Sequence, residues 1–305
     1  MGLAVPGLAG DILDQLPPAR RSLLHRRRAE LLAGRPGFEA ACARHLAEAG
    51  ETKRAAELQI RAAGLALDDG APREAVRLAD AALALTAGQE GSRSGPVRRM
   101  RAEALAACGR VAEAEVEFAR AVAANRDEND PVQLAWALQS AGVFHGGRGA
   151  TDLALSCLEE ALALLDEIGD TGGGARTLLE TGRILQRVGR SGDAETRLTS
   201  ALSQARRAAR ADLEAEALLS LGEEAAREGR ADQAGEMFRA AEAAAGRAGS
   251  AAARATARRG KVLALEAAGR IGEALQEAEA WAAEAQRASH VASAADAALA
   301  CGRLL

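Results

Sequence analysis

Gly189-Arg190-Ser191-Gly192-Asp193-Ala194-Glu195-Thr196-Arg197-Leu198-Thr199-Ser200-Ala201-Leu202 decides how this chain folds, because it is one of six related copies. The first Ala of the motif falls at Ala75, Ala114, Ala154, Ala194, Ala234 and Ala274, at spacings of 39, 40, 40, 40 and 40 residues. Five residues earlier stands Gly70, Gly109, Gly149, Gly189, Gly229 or Gly269. Four residues later stands Ala79, Phe118, Leu158, Leu198, Phe238 or Ala278, and three further on Ala82, Ala121, Ala161, Ala201, Ala241 or Trp281. Twelve before the Ala is a small or β-branched residue: Ala63, Ala102, Gly142, Gly182, Gly222 or Val262. A period this regular outranks any local motif in setting the fold.

Each copy reads as a helical hairpin. A first helix over residues 175–188 ends at Gly189, which closes a helix C-terminus without a Cβ penalty. A second helix over residues 193–205 turns back. Ala194 and Ala201 share one face and let the two axes approach, with Leu198 as filler between them. One such hairpin buries too little alone, so stability comes from stacking on its neighbours. The composition agrees. Of 305 residues, 48% are hydrophobic and 27% charged, aromatics make up 2% and Tyr is absent. No stretch alternates as a strand would, so the chain is expected to be all-α.

The motif resembles the tetratricopeptide repeat family, in which a small residue in the first helix is followed by Ala, a large apolar residue and Ala in the second. Gly182, Ala194, Leu198 and Ala201 carry these marks in the fourth copy. The resemblance covers residues 53–305. It departs from the common form in its period, about 40 against 34, in Leu or Ala at most aromatic positions, and in lacking the Pro that often closes a unit. The extra residues are expected between hairpins, as at residues 167–174. The form is similar to the repeats that follow the ATPase core in large bacterial signal-transduction regulators. Residues 24–30, 45–50 and 55–56 resemble the helical stretch that links core to repeats there, although no such core is present. The resemblance implies a right-handed α-solenoid of about six hairpins with an N-terminal helical extension. The expected organisation is a flexible lead-in over residues 1–10, a helical segment over 11–50 and a solenoid over 51–305. Within the second part, a helix opens at Pro17-Pro18 and another at Pro36. The last residues, Ala297 to Arg303, echo Ala104 to Arg110, as a capping helix or a first helix cut from a longer protein would.

No catalytic constellation stands out in the sequence. His25, His45, His145 and His290 lack metal spacing, and Cys42, Cys108, Cys157 and Cys301 form no C-x-x-C pair and read as small buried hydrophobes. His145 to Gly149 and Thr171 to Gly174 are glycine-rich but lack the Lys of a phosphate loop, and both read as turns or loops. Asp127, Glu128 and Asp130 read as a solvated turn. Glu159-Glu160 and Glu223-Glu224 read as helix-surface pairs. No cofactor or metal is implied, and an enzyme is the least favoured class. A net charge of −4 with few aromatics argues against direct nucleic-acid binding, and no run is long and apolar enough for a membrane span. A cytoplasmic location is expected.

Function therefore falls to the first helices, which line the inner groove in the family it resembles. By register the groove candidates are Arg99, Trp136, Gln139, Arg176, Leu179, Arg183, Gln186, Glu216, Leu219 and Arg259, with Glu103, Val143 and Glu223 beside them. Trp136 is either core filler or binding anchor, and core is favoured. Arg176 and Arg183 lie seven apart on one helical face, offering donors to an extended peptide or a partner helix. The leading expectation is a non-catalytic protein-interaction module, the scaffold or sensor part of a bacterial regulator. A small-ligand effector sensor and a self-associating structural solenoid are the alternatives.

Overall fold

The computed structural model describes residues 15–87, 94–287 and 291–304; the expected lead-in over residues 1–10 and His290 lie outside them. Every regular element described is helical: α1 Pro18–Leu32, α2 Glu39–Glu48, α3 Thr52–Asp68, α4 Pro72–Thr86, α5 Gly95–Ala107, α6 Val111–Asp127, α7 Pro131–Gly147, α8 Thr151–Ile168, α9 Thr171–Arg187, α10 Ser191–Arg207, α11 Ala211–Arg227, α12 Ala231–Arg247, α13 Ala251–Ala267, α14 Ile271–Arg287 and α15 Val291–Leu304. The chain is an all-α helical-repeat solenoid whose consecutive helices pack in pairs. It divides into two compact units, one ending at Phe144 and the other beginning at His145.

From α6 onward helices begin at residues 111, 131, 151, 171, 191, 211, 231, 251, 271 and 291, a beat of 20. Helices α9 and α10 show how the beat is filled, each with 17 residues followed by a turn of three. Helix α8 has 18 residues and a turn of two, and keeps the beat. Two beats make one repeat. The surplus over the shorter, common form of the repeat thus lies in the helices. Residues 167–174, expected as an inter-hairpin loop, are mostly helical: α8 runs to Ile168 and α9 starts at Thr171. The Gly run is held in α9 by its cap, where the Gly173 backbone N–H donates to Asp170 Oδ1 at 2.8 Å. Space explains the glycines. A Cβ at Gly173 would stand 2.8 Å from Leu165 Cδ2, and one at Gly174 2.5 Å from Gln204 Oε1.

From residue 109 to residue 269 the turns within hairpins and between them share one geometry. Each of these places a left-handed residue on the same beat, including Gly169 at φ 79° and Gly189 at φ 76°, and also Asn129 at φ 50° and Ala209 at φ 53°. The following N–H reaches back five residues, as Arg190 N to Leu185 O at 2.9 Å and Arg210 N to Ala205 O at 2.9 Å, closing a Schellman turn. Arg110, Arg190, Arg210 and Arg270 follow these turns and pair with an acid in the first turn of the next helix: Glu113, Asp193, Asp212 and Glu273.

Packing follows the motif. Ala194, Leu198, Ala154, Leu158 and Ala234 are fully buried, and burying one Leu is worth about 2 kcal/mol. Phe238 fills a slot that Gly222 on α11 and Gly260 on α13 leave open, at 2.8 and 2.5 Å from where their Cβ atoms would lie. In the first unit the rings of Phe118 and Phe144 meet with centroids 5.0 Å apart.

Four local expectations change. Pro36 sits in the turn, and α2 begins three residues later at Glu39. Glu128 is no free turn acid: the backbone N–H groups of Ser94 and Gly95 donate to its Oε1 at 2.8 and 3.3 Å, so it caps α5. Glu224 is buried; burial raises its pKa, but hydrogen bonds from Ser191 and Gln186 and the charge of Arg227 bring it below the ordinary carboxylate value. Of the cysteines only Cys42 is buried, its Sγ donating to Ala29 O, while Cys108, Cys157 and Cys301 are half-buried.

Candidate partner-binding surface

Helix α7 is the unusual first helix. Its 17 residues include no Asp, Glu, Lys or Arg. Ala135, Ala137, Leu138 and Ala141 go into the core, whereas Val132, Trp136 and Val143 are exposed to 38%, 42% and 41%. These three positions are four and seven residues apart and share a face. Trp136 is therefore not the core filler expected of it, because its neighbours in sequence occupy the buried arc. The Arg99 guanidinium of α5 lies 5.9 Å from the Trp136 ring centroid, a cation–π contact. Arg99 Nη1 also donates to Glu103 Oε1 at 2.7 Å, and Ser140 Oγ donates to the same oxygen at 2.7 Å. Glu103 thereby ties α5 to α7 and holds Arg99 beside the indole. Gln139, one turn along α7, is half-buried and already has a partner.

In the second unit Arg183 of α9 spans two helices. Its Nη2 pairs with Glu216 Oε2 of α11 at 2.9 Å, and its Nη1 with Glu180 Oε1 at 3.3 Å. Arg176, two turns earlier on α9, is half-buried and makes no ion pair among the described residues. Arg259 on α13 and Glu223 on α11 are exposed.

Three groove candidates are turned inward. Leu179 is fully buried against Leu198, Leu213 and Ala217, and Leu219 packs with Phe238 and Ala257. Gln186 is buried and donates through Nε2 to Ser220 O at 2.9 Å and to Glu224 Oε2 at 2.8 Å. A long helix packed against neighbours on both sides buries much of its circumference, so the register position that is half-buried at Arg99 and Gln139 and exposed at Arg259 lies in the core at Leu179 and Leu219.

Glu117 is a buried charge that the repeat pattern does not mark. It is buried on α6, where Arg98 Nη1 reaches its Oε1 at 2.9 Å and Arg101 Nη1 its Oε2 at 3.0 Å, with Arg120 at 3.4 Å. The Arg98-Arg99-Met100-Arg101 run was the available signal, but which acid it met depended on how α5 crosses α6. A separate cavity of about 400 Å³ opens among α1, α2 and α3, floored by Leu32, Cys42, Leu46 and Leu58 and edged by Arg26, Arg35, Arg54 and Arg61 with Glu30, Glu39 and Glu57. Among the described residues no three His, Cys, Asp or Glu gather as a metal site would need, and no helix is long and apolar enough to cross a membrane.

Among solved structures, the chain resembles a signal transduction ATPase with numerous domains that has a tetratricopeptide repeat sensor, from Pyrococcus horikoshii. The TM-score is 0.66 at 16% identity, over 96% of this chain and 48% of that one, so the chain spans about half of that protein's length. The TPR-like repeats of a Podosopora anserina kinesin light chain superpose at a TM-score of 0.52 with 18% identity, over 63% of this chain and 94% of that one. The chain has a tetratricopeptide-like repeat fold. A Rap protein complexed with Competence and Sporulation Factor shares it, at a TM-score of 0.60 and 13% identity, over 97% of this chain and 89% of that one. No family model and no curated protein matches the sequence.

Proposed function

We propose that the chain is a non-catalytic protein-interaction module, the scaffold or sensor part of a bacterial regulator, which captures a peptide or partner helix on the exposed face of its first helices. The observation that carries this reading is the uncharged helix α7, with Trp136 in water beside a guanidinium already fixed by Glu103. An exposed aromatic with a pre-oriented Arg is the kind of pair that anchors an interface. In the second unit Arg176 and Arg183 offer donors along α9. The likeness to a Rap protein complexed with Competence and Sporulation Factor, and to a signal transduction ATPase with a tetratricopeptide repeat sensor, supports it at the level of the fold.

The test is affinity capture from the source cells followed by mass spectrometry, with Trp136→Ala and the Arg176→Glu/Arg183→Glu pair as controls. Each variant should keep its helicity and lose the captured partner. Capture unchanged in both variants would exclude this surface. The cavity among α1, α2 and α3 favours a second reading, a small-ligand sensor, since about 400 Å³ is within the range of ligand sites. A thermal-shift screen of metabolites decides between them, because a bound ligand must raise the melting temperature.

A further inference from the structure

His25 on α1 and His45 on α2 face each other outside the surface described above. Their Nδ1 atoms are 2.9 Å apart, their ring centroids 5.2 Å apart, and the ring planes are tilted by 44°. Both rings are half-buried. Only one hydrogen fits between two nitrogens at that distance. With no added proton, one imidazole carries its hydrogen on Nδ1 and donates to the bare Nδ1 of the other, whose hydrogen is on Nε2. With one added proton, an imidazolium Nδ1–H donates to the Nδ1 of a neutral ring, and the bond is charge-assisted. With two, both Nδ1 atoms carry hydrogen and positive charge, and the contact becomes repulsive.

The surroundings sharpen this. The charged groups acting on His45 are Arg28 from α1 and Arg44 and Glu48 from α2. Helix α3, packed on α2, sends Arg54, Glu57 and Arg61 to the cavity. Burial, then His25, Arg28 and Arg44, lower the His45 pKa from its ordinary value, with Glu48 opposing. Helix α1 is thinly held: Ala29 is its one buried residue. Its other ties to the fold include Ser22 Oγ donating to Ala49 O at 2.9 Å and the Arg26–Glu51 ion pair. A repulsive contact at the His pair would therefore act on an element with little else to resist it.

We propose that His25 and His45 form a proton-operated latch on the N-terminal hairpin, closed while one hydrogen lies between their Nδ1 atoms and opened when both Nδ1 atoms are protonated. The sign follows from His45. Its folded value lies below 6.5, the ordinary one, so the latch's contribution is complete above that pH and is lost as pH falls through the lower folded value. Arg26 and Leu46, the next residues in sequence, line the cavity, so release of α1 also unwalls it.

Amide hydrogen exchange of the full chain from pH 7.5 to 4.5, corrected for intrinsic rates and referenced to α9, tests the latch. Protection of α1 should fall by up to about tenfold per pH unit below about 6.5 and level off once the closed pair takes the second proton, and His25→Gln should abolish that pH dependence. A flat wild-type profile, or an equal fall in His25→Gln, would overturn the proposal. Nitrogen-15 spectra of the wild-type histidines at pH 7.5 give an independent readout should His25→Gln not fold. One Nδ1–H and one Nε2–H ring are expected from the pair; two Nε2–H rings would overturn it.

Discussion

Gly182 sits where two tendencies oppose each other. Ala is the better helix former by about 1 kcal/mol, so replacing a mid-helix Gly ought to stabilise α9. Yet a Cβ there would stand 2.6 Å from Leu198 Cγ, a fully buried atom, and 3.5 Å from the Ala194 carbonyl. Packing wins: Gly182→Ala should lower stability by about 1–2 kcal/mol after the propensity gain is subtracted, as denaturant melts would show. Ala209 is the converse case. It holds φ 53° in a turn where most of its counterparts are Gly, and a left-handed L-residue costs about 1–2 kcal/mol. Ala209→Gly should stabilise the second unit by about 0.5–1 kcal/mol once the greater freedom of Gly in the unfolded chain is deducted. A lower melting point than wild type would mean that this turn is not strained.

At the scale of elements, α5 and α6 are joined by the buried Glu117 and its arginines. Removing Arg98 and Arg101 together leaves a buried carboxylate with only the exposed Arg120 for company, and should cost about 3 kcal/mol or more. Glu117→Leu removes the buried charge itself and frees arginines that can turn to water. It should change stability by less than about 1 kcal/mol. Equal losses in the two variants would show that the pair's attraction matters more than its desolvation. The same helices show how far the candidate surface was legible. Arg183, Glu216 and Arg259 reach solvent, at least in part. Leu179, Leu219 and Gln186 do not, since the arc that α9 and α11 bury depends on the hairpins stacked on both sides.

For the whole molecule, the turn arginines set the response to acid. Hydrogen bonds from Arg210, Arg110 and Arg270 hold Asp212 at about 2 and Glu113 and Glu273 below their ordinary 4.5. Folded values below unfolded ones mean that stability is present above about pH 4.5 and is lost as pH falls through the lowered values. These pairs should leave the melting temperature unaffected from pH 7 to 5 and lower it below pH 4, by a modest amount per pair because these groups are exposed and screened. A midpoint unchanged at pH 3 would show that the pairs contribute nothing to folding.

The spacing of Gly, Ala and Leu determined by itself the helical hairpin, its repeat and the residues that pack it, because helix ends and close approaches depend on local residue size and backbone freedom. The helix lengths, the capping of α5 by Glu128, the burial of Glu117 and Glu224, and the exposure of Trp136 were decided only in the tertiary structure. Each depends on which neighbouring helix lies within reach of a side chain, and a one-dimensional period carries the beat of the repeat but not the arc of each helix that its neighbours cover.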